Sequence, residues 1–407
     1  MTTETVMKRP SAIAKQQPGR VPVRYSPSLE RLEADEAETT QGLIATMRYI
    51  NERTLANGGH AIRSVHAKAH GILQGDLEVD ADLPSELAQG LFAKPGGYPV
   101  VMRFSTIPGD ILDDSVSVPR GLAVKIIGVK GERLEGSEGD VTQDFLLING
   151  PAFGAPTPKK FLSVVRILAR TTDRAEWLKK ILSAAMRQLQ RAIVAVTGQP
   201  NATVATLGGQ PETHILGETF YSQAALRFGD FIAKIAVAPI SAELMALTQA
   251  PLNVNGVPNG LRAAILEFFG KHGGAWEVRA QLCTDLETMP IEDAAVVWPE
   301  QQSPYRAIGR ITVKPQVTWS EARSSAVDDG MSFTPWHGLA AHLPLGGIMR
   351  ARKAVYEMAK TFRSEANGRV IEEPRQRVSF EDRREDRVAG AVQQTASAGL
   401  THAGQSD

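Results

Sequence analysis

The sequence predicts an α+β fold: an antiparallel β-sheet or barrel flanked by helices. Three observations point there. From His60 to about Asn149 short β-type runs follow one another, punctuated by glycine and proline. Helical periodicity takes over across 158–198. Strand-like and helical stretches come in blocks, without the strand–helix alternation that builds a parallel sheet.

The elements follow in chain order. Residues 1 to about 24 are polar with scattered proline and read as an extended or disordered arm. Residues 35–56 form an amphipathic helix with Leu43, Met47 and Ile50 on one face. The β-type runs are VHAKAHGILQGDLEV, YPVVMRFSTI, GLAVKIIGV and DFLLIN. The helical signal that follows is strongest in AEWLKKILSAAMRQLQRAIVAV. Strands resume at DFIAKIAVAP, WEVRAQLCTD and YRAIGRITV, and Leu345 to Arg363 reads as a helix. Residues 383–407 hold almost no large apolar groups and are expected to be disordered. The predicted organisation is an arm and helix over 1–55, a main domain over 56–365 and a polar tail over 366–407.

Composition narrows the function classes. A chain of 407 residues with 43% hydrophobic and 22% charged residues has an ordinary globular balance, enough for one large domain or two. The formal net charge of +0 gives no case for a nucleic-acid or anionic-membrane partner. Cys283 is the only cysteine, which excludes an intrachain disulfide and any multi-cysteine metal site; it reads as a buried structural thiol. The first residues show no apolar secretory core, and no window reaches the roughly 18 apolar residues a membrane span needs. The expectation is a cytoplasmic enzyme without stable membrane insertion.

The chemistry-bearing residues are few. Arg352, Tyr356 and Arg363 share one face of the last helix, at spacings of four and seven. A cation one turn from a phenol favours the phenolate, and a tyrosinate is one of the ligands that hold haem iron. On this helix alone, the simpler reading is a half-buried tyrosine beside a surface arginine. His66 can shuttle a proton to and from a peroxide. On an ideal strand Arg63 and His66 point to opposite faces, so a shared site needs a bend. Arg103 and Ser105 share a strand face. An inward Arg103 needs an anion; an outward one is solvated. Pro119 to Lys125 reads as a scaffold turn feeding a strand. His66 and His70 do not form a metal pair, because their spacing works on a helix and the segment is β-patterned.

Together these blocks resemble the haem catalase superfamily. RSVHAKAHG resembles the strand bearing the distal histidine. VMRFSTIPGD followed by PRGLAVKI resembles the arginine–serine strand and the run after it, and VVWPEQQSPYRAIGRITV the segment ahead of the proximal helix. RARKAVYEMAKTFR fits the R-x-x-x-Y proximal motif. The resemblance covers about residues 56–365 and is closest to short, divergent bacterial catalase-related peroxidases. It implies an antiparallel β-barrel core with flanking helices and no C-terminal flavodoxin-like domain. It implies haem, of the b type, held by Tyr356 with Arg352 as its partner. His66 becomes the distal acid–base and Ser105 its support. Arg63, Arg103 and Arg363 become propionate ligands, and Phe153 the aromatic over the haem face. Where the family carries a distal asparagine, this sequence offers Thr142 or Gln143. That substitution favours peroxidase chemistry over rapid dismutation of hydrogen peroxide. The implied partners are hydrogen peroxide or an organic hydroperoxide, with a homo-oligomer open. The alternatives are a fatty-acid hydroperoxide isomerase or lyase, against which Val65 before the histidine argues, and a non-catalytic haem-binding protein, against which His66 argues.

Overall fold

The computed structural model describes residues 21–172, 176–198 and 201–380. Most of the expected N-terminal arm (1–20) and the end of the expected tail (381–407) lie outside the described residues. Among the described residues nine strands form one antiparallel sheet: β1 Ala69–Val79, β2 Gly96–Thr106, β3 Arg120–Ile127, β4 Thr142–Ile148, β5 Phe220–Tyr221, β6 Leu226–Phe228, β7 Phe231–Pro239, β8 Gly274–Leu282 and β9 Arg306–Val313. Strand β1 lies between β2 and β9, and β5 joins β4 to β7. This closes eight strands into a barrel, with β6 as a hairpin arm on β7. Closure removes the open edges that a curled sheet would otherwise leave.

Alternation along the strands makes two environments. Met102 and Phe104 of β2, Leu122 and Val124 of β3, and Phe145 and Leu147 of β4 point into the barrel, where they meet Phe220, Phe228, Phe269 and Trp276. The barrel is therefore packed with side chains and leaves no open channel along its axis. Arg103, Ser105, Ala123, Leu146 and Ile148 alternate with them and line a cavity on the outer face.

The longer helices are α1 Glu36–Gly58, α2 Pro158–Thr171, α3 Glu176–Thr197, α4 Gly260–Lys271 and α5 Gly347–Ala366. Leu43, Met47 and Ile50 of α1 form the predicted apolar stripe. They pack on Leu162 and Val165 of α2 and on Ala351 and Val355 of α5. These three helices form a second layer facing the barrel wall. Helix α1 stops at Gly59, whose φ of 68° suits glycine. Helix α4 carries no expectation from the sequence.

The stretch after α5, expected to belong to a polar tail, lies against the barrel as far as Phe380. Val378 and Phe380 rest on an apolar patch of Ile72, Val101, Ile127, Met331 and Phe333. The Glu373 carboxylate reaches the buried Lys125 ammonium, which also bonds Asp144 (2.7 Å). Scattered apolar residues in a polar sequence suffice to anchor a strap when each one meets a prepared patch.

Candidate active site

A cavity of about 760 Å³ lies between the barrel wall and the helical layer, within the range of ligand sites. His66, Arg63, Arg103, Ser105, Phe153, Arg352, Tyr356 and Arg363 all line it. Eight of the nine residues singled out in the sequence thus come together from three strands or loops and one helix.

His66 sits in the irregular segment before β1, with φ of 56°. A left-handed backbone at a non-glycine residue is uncommon and marks local strain. It supplies the bend that lets Arg63 and His66 share a cavity despite their three-residue spacing. The backbone is held there by His66 N–H donating to Ile107 O (2.8 Å). The ring is fixed by its Nδ1, 3.0 Å from Ser105 Oγ. Gly121 makes room: a Cβ there would stand 2.5 Å from His66 Cε1. Burial, with the Arg103, Arg352 and Arg63 guanidinium groups, pushes the His66 pKa down to about 3, so the ring is neutral at ordinary pH.

On α5, Arg352 donates to Tyr356 Oη (2.8 Å) from one turn back, as the sequence spacing predicts, with its guanidinium 5.2 Å from the ring centre. Lys360, a further turn on, lines the same cavity and was not singled out in the sequence.

The arginine wall is the most charged part. Arg103 Nε donates to Asp328 Oδ1 (2.6 Å), and Arg63 Nε lies 3.9 Å from the same oxygen. Arg63 also donates to the Val327 and Met331 carbonyls, and Arg363 to those of Asp328 and Met331. Three guanidinium groups thus face one carboxylate. Burial lowers the Arg63 pKa well below its usual range, helped by Arg363 and Arg103. Burial likewise takes Arg363 down to about 10. For Asp328, burial works against the charge, but Arg103 and Arg63 outweigh it and hold the carboxyl below its ordinary range. Arg63 Nε is buried without a hydrogen-bond partner. Asp328 has a signal in hindsight: three inward arginines require a counter-ion, and the sequence reading gave them only an external one.

Thr142 corrects one expectation. It lines no part of the cavity; it starts β4, opposite Ile127, and its hydroxyl donates to Glu373 (2.9 Å). Gln143 bonds instead to Leu339 N–H (2.9 Å) and is buried. The register of β3 on β4 sets Gly121, beside His66, opposite Ile148. The cavity end of β4 is therefore its C-terminal end. Asn149 follows there and lines the cavity, but its amide is committed to Glu218 (2.7 Å) and the Arg120 N–H (2.8 Å). Phe153 lines the cavity and packs edge-on against Phe161, ring centres 5.0 Å apart.

Solved structures share this architecture. A fungal catalase aligns with a TM-score of 0.54 at 19% identity, over 77% of this chain and 62% of that one. Catalase A from Saccharomyces cerevisiae aligns with a TM-score of 0.53 at 19% identity, over 76% and 63%. The fold is catalase-like. The chain spans less than two thirds of the length of these catalases. No protein-family model matches the sequence, and no curated protein sequence does. Among the described residues no helix is long and apolar enough to cross a membrane.

Proposed function

We propose that the chain is a haem-dependent oxidoreductase that metabolises peroxides, with peroxidase turnover favoured over rapid dismutation. The observation that carries this reading is one cavity holding both an arginine-bonded Tyr356 and a neutral, serine-fixed His66. The residues fit a haem. Tyr356 offers a phenol oxygen for iron, with Arg352 placed to stabilise its anion. The arginine wall has an orphaned donor on Arg63 and an excess of cations over carboxylates, which suits two propionates. When bound, haem supplies the redox chemistry that splits the O–O bond.

The protein's part is proton handling and exclusion. With Nδ1 donating to Ser105, the Nε2 lone pair of His66 is free to take the proton of a hydroperoxide and return it to the leaving oxygen. The wall of Val65, Ile107 and Phe153 around it is apolar and offers water no hydrogen-bond partners there. Thr142 lies elsewhere, and the Asn149 amide already bonds Glu218 and the Arg120 N–H, which weakens the case for a second peroxide held by either residue and favours an organic reductant for the return step.

The aliphatic lining also favours a second reading, rearrangement of a bulky organic hydroperoxide. Titrating the protein with ferric haem, then measuring oxygen release and oxidation of a phenolic donor, separates these outcomes. Tyr356→Phe should lose the Soret spectrum, and His66→Ala should keep it while turnover collapses. An unchanged spectrum and rate in Tyr356→Phe would sink the ligand assignment.

A further inference from the structure

Helix α3 is built inside out. Its inward face is polar: Ser183 Oγ accepts from Ser117 N–H (2.9 Å) and donates to Gly208 O (2.7 Å). Gln190 exchanges two hydrogen bonds with the Asn201 backbone, and Arg187 pairs with Glu212 (3.3 Å). Its outward face is apolar: Ile181, Leu182, Leu189 and Val196 are 59%, 47%, 44% and 86% exposed. Surface helices normally turn their apolar stripe to the core.

The stripe continues into the site. Leu182 lines the cavity, as do the exposed Ile167 and Leu207. Exposed cations occur on α2 and α3. Residues 158–197 carry nine lysines and arginines against two acids, and Lys159, Lys179, Lys180 and Arg187 of these pair with Asp35, Asp110, Asp113 and Glu212 from elsewhere in the chain. Lys160, Arg166, Arg170 and Arg191 are exposed and form no ion pair among the described residues, and Arg170 lines the cavity beside Ile167.

We propose that the outward face of α3 rests on an anionic lipid surface, with the cavity mouth turned into its interfacial layer. An apolar stripe with free lysines and arginines nearby matches the chemistry of such a surface, apolar below the headgroups and negative at them. The whole-chain charge, which gave no case for an anionic membrane, does not register these unpaired cations. The cavity then opens towards the phase in which apolar hydroperoxides dissolve. This placement is independent of the haem reading, since it is tested by binding and not by turnover.

The test is co-sedimentation of the full chain with phosphatidylcholine vesicles, with and without phosphatidylglycerol, at low and high salt. The partner variant is Leu189→Glu/Val196→Glu, whose side chains are exposed and lie outside the cavity. The wild type is expected to sediment with phosphatidylglycerol vesicles. Binding should be at least about tenfold weaker in the variant, to neutral vesicles and at high salt. Hydrogen peroxide turnover without vesicles should stay unchanged in the variant. A wild type that remains in the supernatant, or sediments no better than the variant, overturns the proposal. So does a wild-type dimer that the variant dissociates without any vesicle binding, since the second copy is then the occupant.

Discussion

Asp328→Asn tests the arginine wall most directly. The variant keeps the shape of the side chain and removes the carboxylate bonded to Arg103, with Arg63 3.9 Å away. Arg103, Arg63 and Arg363 would then face one another without the carboxylate between them, left with carbonyl partners, the Phe333 ring under Arg63 and the weaker pull of Asp329 on Arg363. Removing one partner of a buried ion pair destabilises by about 3–5 kcal/mol. Unfolding entropy of about 2.1 cal/mol/K per residue gives roughly 0.85 kcal/mol/K for 407 residues, so the expected loss in Tm is about 4–6 °C. The haem reading adds a second expectation. Two propionates would bring back the missing negative charge, so the haem-loaded variant should recover at least half of that loss. Differential scanning calorimetry of wild type and variant, each with and without haem, reads both numbers. An equal loss with and without haem would refute propionate binding at this wall. No loss without haem would refute the charge argument itself.

Gly121→Ala should leave haem uptake intact, since Gly121 lies behind the histidine, but lower peroxide turnover about 100-fold. The added methyl would stand 2.5 Å from His66 Cε1 and 3.0 Å from Ser105 Oγ, so the ring must shift; stopped-flow rates with a Soret check decide it. With a folded pKa of about 3 against 6.5 unfolded, His66 takes its proton in the unfolded chain first, so its contribution to stability is intact above pH 6.5 and lost as pH falls toward 3. About 2 kcal/mol should be gone by pH 5, a slope that His66→Ala should lack in denaturant titrations from pH 7.5 to 4.5. Burial pushes the Cys283 thiol up to about 11 and leaves it 0% exposed, so it should resist thiol reagents and peroxide in the native state and react on unfolding, as mass spectrometry would show.

Local pattern made α1, the long strands and α5 legible, because each buries one face at the period of its element. The Arg352–Tyr356 contact was legible for the same reason, being one helical turn long. The site as a whole is assembled from partners far apart in sequence. Ser105 meets His66 from 39 residues away, and Asp328 meets Arg103 from 225. No period carries that information. The bend at His66 is a single backbone dihedral that leaves hydrophobic alternation undisturbed. Thr142 was misplaced because sequence alone does not say which end of β4 meets the cavity; the pairing of Gly121 with Ile148 decides it.

The arginine wall also bears on what the cavity is for. Hydrogen peroxide is small and neutral and gains little from three buried guanidinium groups. Holding them together against their mutual repulsion takes Asp328, the carbonyls of the 327–331 turn, and the Phe333 ring under Arg63 at 5.6 Å. That turn is in turn clamped from outside: Val327, Met331 and Phe333 belong to the patch that Val378 and Phe380 cover. An arrangement fixed in advance spares an incoming anion the work of gathering its cations, which is how preorganisation raises affinity. On the proposed haem reading the wall would hold the carboxylates of the cofactor, and substrate handling would fall to His66 and the apolar wall around it.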